Sequence, residues 1–385
     1  MHRFFILLLL SLPFFCRAQI LVSGSVADSA GGRPLDGASV FLANTSIGAS
    51  TNSDGKFRLP NVPSGQYDLI VSLIGYHTYT QTISVQGNIP EIKVRLARKP
   101  VMIPVVSIMS KAERERLLGM FISDFIGSEQ QGQCRIKNTD DITLEYDRKQ
   151  NVLIATAEKF LIIENAYFGY RLKYLLNSFK SNYSDRTVFY DGQALFEELH
   201  ASESKKKRWK KNRENTFVSS PMHFYRNLIA MDTLNFTMHT LIREDNPERP
   251  PDSIIRARLE RFREMPDSLQ YWSDKAGLPR TRQILIDTAV NISSVTVRTN
   301  LEGIFALRFD HFLQVTAHPK KQGEKGITRA ERLNPAQSSV IHLLGEYSLF
   351  DRNGVVINPI DVMYEGFWSG DRIGRMLPYN YQPGQ

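Results

Sequence analysis

Cysteine is almost missing from this sequence, with two, Cys16 and Cys134, in 385 residues. Cys16 falls in an N-terminal stretch that reads as a removable leader. The mature chain then holds a single thiol, no internal disulfide forms, and the core must hold the fold without covalent staples. That excludes a small disulfide-stapled extracellular module. Long apolar runs are scarce too. Beyond the leader, no stretch approaches the roughly 20 apolar residues that a membrane-spanning helix needs. Motifs of hydrolytic and nucleotide chemistry are also missing: there is no Gly-x-Ser-x-Gly elbow, no His-Glu-x-x-His pair and no phosphate-cradling glycine loop.

The leader is the first feature present. His2 and Arg3 give a short basic start, Phe4 to Phe15 is apolar apart from Ser11 and Pro13, and Cys16-Arg17-Ala18 precedes Gln19. This is the pattern of a secretory signal peptide over residues 1–18. Phe15 argues against acylation of Cys16, because lipoprotein processing favours a small residue before the cysteine. Cleavage after Ala18 leaves 367 residues and lowers the formal charge from +8 to +6 through loss of Arg3 and Arg17. The expected location is exported, in the periplasm or associated with the outer membrane, and the length accommodates two domains.

From Ile20 to Leu96 the apolar positions recur with period two between closely spaced turn signals. Strands are predicted over Leu21–Asp28, Ala38–Leu42, Lys56–Leu59, Gln66–Ile74, Tyr76–Val85 and Glu91–Leu96. So many short strands in under 80 residues imply an all-β sandwich, since no single sheet buries those faces alone. Within TNSDGKFRLPNVPSGQYDL, Asp54-Gly55 supplies a turn that tolerates positive φ, with Asn52 and Asp54 bonding back to it. Asn52, Asp54 and Asn61 are too few oxygens for calcium, so the stretch reads as a structural corner.

These residues carry a resemblance. The Gly24 strand, Pro34-Leu35-Asp36-Gly37-Ala38, Gly48, Thr51, Asp54-Gly55-Lys56-Phe57, Gly65-Gln66-Tyr67 and Ile74-Gly75-Tyr76 stand in the order of the carboxypeptidase-regulatory-like domain. That family is a transthyretin-type β-sandwich common in exported proteins of Bacteroidetes. The resemblance implies an accessory envelope module at residues 19–98 with no reaction of its own.

Residues 99–109 read as a linker, in which Pro100 and Pro104 limit helix formation. Residues 110–385 read as one α+β domain, which makes the expected fold class two-domain. Apolar positions 117, 118, 121, 122 and 125 predict a helix over Lys111–Phe125, stopped by Gly127. Strands are predicted over Ile142–Tyr146, Val152–Ala157 and Phe160–Glu164, while Ala166–Asn177 is ambiguous in period. Ala194–His200 with its charged extension reads as a helix, as does Pro221–Met231, capped by Ser219 or Ser220. Further strands are expected over Thr281–Thr288, Val295–Thr299, Ile304–Asp310, Leu313–Ala317 and Ser339–Phe350, and NPERPPD marks a surface excursion. The blocks FISDFIG, IIENAYFGYRLKYLL, SSPMHFYRNL and GFWSGDRIGRMLPYNY resemble the uncharacterised segment that follows the regulatory-like sandwich in many Bacteroidetes exported proteins. That resemblance implies a recurrent architecture and no residue roles.

A metallocarboxypeptidase site would need a His-x-x-Glu pair and a later histidine, which His200, Glu203 and His311 match in type. The pair lies in the charged stretch ELHASESKKKRWKKNR rather than beside an apolar strand able to hold a rigid site. A metal-dependent hydrolase is therefore the alternative reading, and no cofactor is expected. Cys134 reads as a buried core thiol.

The strongest surface feature is Lys205, Lys206, Lys207, Arg208, Lys210, Lys211 and Arg213, seven positive charges in nine residues around Trp209. On an exported chain such a run points away from nucleic acid. It reads as a helix with Trp209 packed inward, whose charges are solvated or meet anionic envelope groups. Glu197, Glu198 and Glu203 are candidates to offset their repulsion. The expected function is a non-enzymatic exported envelope protein, a binding or accessory module for an envelope protein, a glycan or an anionic lipid surface.

Overall fold

The computed structural model describes residues 20–87, 89–100, 109–127, 132–232, 235–318 and 337–384. The leader and most of the predicted linker lie outside these residues. The chain is mostly β-sheet with a few helices. It divides into two compact units, one running to Ile108 and taking in Gln193–Phe196, the other made of Met109–Gly192 and Glu197–Gln385.

The first unit has seven strands, β1 (Ile20–Asp28), β2 (Ser39–Leu42), β3 (Gly48–Ser50), β4 (Lys56–Val62), β5 (Gly65–Ser72), β6 (Tyr79–Val85) and β7 (Ile92–Leu96). They form two sheets, β4-β1-β7 and β3-β2-β5-β6, with β1 and β7 parallel. Alternation sets the inner face: Val22, Val26, Leu59, Val62, Leu69, Val71, Val85 and Val94 are all buried in one core. The corner at Asn52–Gly55 is a hydrogen-bonded turn, the Gly55 N–H donating to Asn52 O at 2.8 Å. Asn52 Oδ1 accepts from the backbone N–H groups of Asp54 and Lys56. Gly55 has φ +71, and a Cβ there would stand 2.4 Å from the Val26 carbonyl, so only glycine fits. Ala194 joins this unit by accepting from the Asn44 N–H at 2.7 Å.

The second unit opens with α1 (Lys111–Ile126), capped by Ser110 Oγ and ended at Gly127. Its buried residues are Leu117, Phe121, Phe125 and Ile126, the first three spaced one turn apart. Then come β8 (Cys134–Ile136), β9 (Ile142–Asp147), β10 (Val152–Ala157), β11 (Leu161–Asn165), β12 (Tyr170–Asn182) and β13 (Thr187–Glu198). Five of them lie in the order β8-β11-β12-β10-β9, and β13 pairs with β12. Phe121 and Phe125 meet Phe179 of β12 edge-on, at ring distances of 4.8 and 6.1 Å.

After α2 (Glu203–Phe217) and α3 (Pro221–Ala230) the chain returns to sheet with β14 (Phe236–Asp245). Helices α4 (Asp252–Arg261) and α5 (Pro266–Gly277) precede β15 (Thr281–Ala289), and the short α6 (Ile292–Val295) follows it. The remaining strands are β16 (Thr296–Arg298), β17 (Ile304–Leu307), β18 (Phe312–Ala317), β19 (Ser338–Leu343), β20 (Ser348–Asp351) and β21 (Val362–Gly366). They build the sheets β15-β14-β18-β19-β21 and β16-β17-β20. Phe224 and Leu228 of α3 pack into a core with Phe236, Val315, Ile341, Phe350 and Trp368.

Two expectations are corrected, and three elements, β14, α4 and α5, were not predicted. Residues 194–198 are the end of β13, not a helix: Ala194, Leu195 and Phe196 are buried in succession, which a strand covered on both faces allows. The expected strand Ser339–Phe350 is two strands separated by an exposed turn at Gly345. The NPERPPD excursion leads into two helices, and β14 has no counterpart among the predicted strands.

Candidate functional site

Helix α2 carries the basic run, and its two faces do different work. Trp209, Asn212 and Arg213 stand at i, i+3 and i+4 and point the same way. Each donates to one carbonyl of the turn between β11 and β12. Trp209 Nε1 reaches Ala166 O at 2.9 Å, Asn212 Nδ2 reaches Tyr167 O at 2.8 Å, and Arg213 Nε reaches Phe168 O at 2.8 Å. The Leu199 N–H takes the next carbonyl, Gly169 O, at 2.8 Å. Asn165 organises the turn from within, its Oδ1 accepting from the Tyr167 and Phe168 N–H groups. Four consecutive turn carbonyls are satisfied this way.

Arg213 is buried, whereas of the other six basic residues five are exposed and Lys210 is half-buried. It is 6% exposed, pairs through Nη1 with Glu198 at 2.6 Å, and stacks 3.8 Å from the centre of the Tyr170 ring. Burial in this packing pushes the Tyr170 hydroxyl up to about 12. Of the remaining six, Lys206 is paired with Glu203 at 2.8 Å, which holds its ammonium above the usual lysine range. Lys210 is half-buried and donates to the carbonyl of Gly384. Glu197 serves elsewhere, paired with Lys173. Lys205, Lys207, Arg208 and Lys211 stay exposed, with Lys205 5.3 Å from the Trp209 ring centre. The sequence reading missed Asn212 and the anchoring role of Arg213; the Trp-x-x-Asn-Arg spacing was the available signal.

The histidines are dispersed. His200 and His311 are exposed. His223 donates from Nδ1 to Val218 O, and burial lowers its pKa. His239 is buried with Nδ1 on Ile286 O, and His318 bonds Thr237 Oγ1 at 2.8 Å. His342 packs on Phe312. Among the described residues, no group of three or more His, Cys, Asp or Glu side chains is placed to hold a metal, and His200, Glu203 and His311 form no such group. Cys134 is buried, which pushes its thiol up to about 12. No helix among the described residues is long and apolar enough to cross a membrane.

The C-terminal block draws the other sequence blocks together. Trp368 Nε1 donates to Ser219 O at 2.7 Å, Asn165 Nδ2 to Gly374 O at 2.9 Å, and Arg226 to the carbonyls of Tyr379 and Tyr381.

By geometry the first unit is a small two-sheet β-sandwich. Its residues, with the stretch that follows, match the family described as CarboxypepD_reg-like domain over 22–108, so this part of the chain is a carboxypeptidase-regulatory-like domain. No curated protein matches. Among solved structures, a type II cohesin–X-dockerin complex of Acetivibrio cellulolyticus is similar at 24% identity and TM-score 0.18, over 20% of this chain and 52% of that one. This chain thus spans about half the length of that relative. A carbohydrate-binding protein assignment from Bacteroides uniformis is matched at 13% identity and TM-score 0.18, over 46% of this chain and 79% of that one. A membrane-associated protein of unknown function from Bacteroides fragilis is matched at 12% identity and TM-score 0.16, over 90% and 93% of the two chains.

Proposed function

We propose that this chain is an exported, non-enzymatic accessory protein of the cell envelope. In this reading a regulatory-like sandwich at residues 19–98 precedes an α+β binding domain at residues 110–385, with residues 99–109 as the connection. The observation that carries it is the family match over residues 22–108. The basic start, apolar run and Ala18-Gln19 junction of residues 1–19 support export. The exposed side chains of α2 give the second unit a contact surface.

The test is fractionation of the tagged full-length chain in a Bacteroidetes host, with mass spectrometry of its N-terminus. The reading expects the protein in the envelope fraction beginning at Gln19. Recovery from the cytosol with residues 1–18 intact overturns it.

A further inference from the structure

Of the seven basic residues on α2, Lys206, Lys210 and Arg213 are engaged by the chain's own polar groups, while Lys205, Lys207, Arg208 and Lys211 form no ion pair among the described residues. Trp209, Asn212 and Arg213 fix the inner face to the turn at residues 166–168. The outer face, about three turns long, presents Ser204, Lys207, Arg208, Lys211 and Asn215, with Lys205 at its edge, all exposed. Lys207, Arg208 and Lys211 make no ion pair or side-chain hydrogen bond among the described residues. From Lys205 to Lys211 the rail runs about 9 Å along the helix. Its inner anchors hold those charges in place, so bringing them to a partner costs little backbone ordering.

The composition of the rail selects among anionic partners. Sugars and nucleobases are gripped by stacking on exposed aromatic faces. The helix's one aromatic near the rail, Trp209, is 2% exposed and turned inward. A protein interface needs an apolar, desolvated centre inside its polar rim. The outer face of α2 has no apolar residue. What remains is a convex row of point charges, three lysines and one arginine, suited to diffuse attraction by a sheet of phosphates.

We infer that Lys205, Lys207, Arg208 and Lys211 on the outer face of α2 dock the second unit on the phosphate headgroups of an anionic lipid bilayer. The inference rests on the envelope reading above and names the partner. Each charge near such a surface is worth about fivefold in partitioning, so four give on the order of several hundredfold. The contact is reversible and weakens with salt, because the Debye length falls from about 10 Å at 0.1 M to about 3 Å at 1 M.

The experiment is sedimentation of the full chain lacking residues 1–18 with vesicles of phosphatidylcholine alone or mixed with phosphatidylglycerol, at low and high salt. Three proteins are compared: wild type; Lys205→Gln, Lys207→Gln, Arg208→Gln and Lys211→Gln combined; and a charge-matched control with Lys93→Gln, Lys99→Gln, Lys149→Gln and Lys180→Gln. Wild type and control are expected to bind the mixed vesicles and release at 1 M salt, while the α2 variant loses at least a hundredfold. Wild-type binding no better on mixed vesicles than on neutral ones overturns the inference, as does equal loss by both variants, which would reduce it to net charge. Wild type that ignores vesicles but is retained on immobilised polyglutamate assigns the rail to an acidic protein instead. Any of these failures leaves the envelope reading standing, since that reading falls only on the fractionation result. Unchanged helical circular dichroism shows that the α2 variant is folded.

Discussion

The indole of Trp209 occupies the space that a side chain at residue 169 would need. A Cβ on Gly169 would lie 2.1 Å from Trp209 Cδ2, and the backbone there has φ +73. The turn, the glycine and the tryptophan therefore form one fitted unit.

Gly169→Ala meets both penalties, a left-handed backbone and a clash with a buried ring. It is expected to destabilise the second unit by roughly 2–4 kcal/mol. Gly119 is the internal control. It lies in the exposed interior of α1 with no atom within 4 Å of a built Cβ. Gly119→Ala should stabilise by about 0.5–1 kcal/mol. Urea midpoints of the two variants moving in the same direction would refute the assignment.

The two faces of α2 predict opposite sensitivities within one run of like charges. Arg213→Ala strands the Phe168 carbonyl, the Glu198 carboxylate and the Tyr170 face, and should cost about 2–3 kcal/mol, discounted because Glu198 is largely solvated. Lys207→Ala and Lys211→Ala touch no such partner and should stay within about 0.5 kcal/mol of wild type. Equal effects from all three, by denaturant titration, would mean that the basic run acts as a single solvated face.

How far the sequence revealed this differs by region. The sandwich was legible because its strands are half-buried and alternate, as in β1 and β4. So were α1 and α3, whose caps Ser110 and Ser220 precede an apolar stripe. The end of β13 was misread because Ala194–Phe196 is buried on consecutive residues, which erases the period. Helices α4 and α5 were hidden for the opposite reason. Ile255 is the only buried residue in the pair, so no apolar stripe announces them. At the candidate site the charges were visible, but their division into anchors and a free rail was not. That division depends on the turn at residues 166–169, some forty residues earlier in the chain.

The first unit carries its own acid-sensitive group. Asp28 accepts from the Ala30 N–H, the Arg98 guanidinium and the Tyr76 hydroxyl, which together lower its pKa to about 2. A carboxyl held below its unfolded value near 3.9 stabilises the fold above that pH. The contribution is lost as pH falls through about 2. Asp28→Asn should flatten the dependence of thermal stability on pH between about 4 and 2 while changing it little in shape above 5. An acid limb identical to wild type would remove Asp28 from the account.

The thiol of Cys134 reports on the C-terminal block. Its Sγ lies 4.0 Å from Gly374 O, the same carbonyl that Asn165 Nδ2 holds at 2.9 Å. Burial pushes the thiol up to about 12, so at pH 8 the native state offers almost no thiolate. Alkylation must then wait for residues around Gly374 to open, and its rate measures that opening. Asn165→Ala removes the buried bond to Gly374 O, worth about 1 kcal/mol or more, together with the two that Oδ1 accepts from Tyr167 and Phe168, and should raise labelling of Cys134 at least roughly five- to tenfold. Peptide-resolved mass spectrometry after timed exposure to iodoacetamide checks both points. Labelling of native wild type as fast as a free peptide thiol would show that Cys134 is reached without any opening. The buried bond to Gly374 would then not be what holds the block in place.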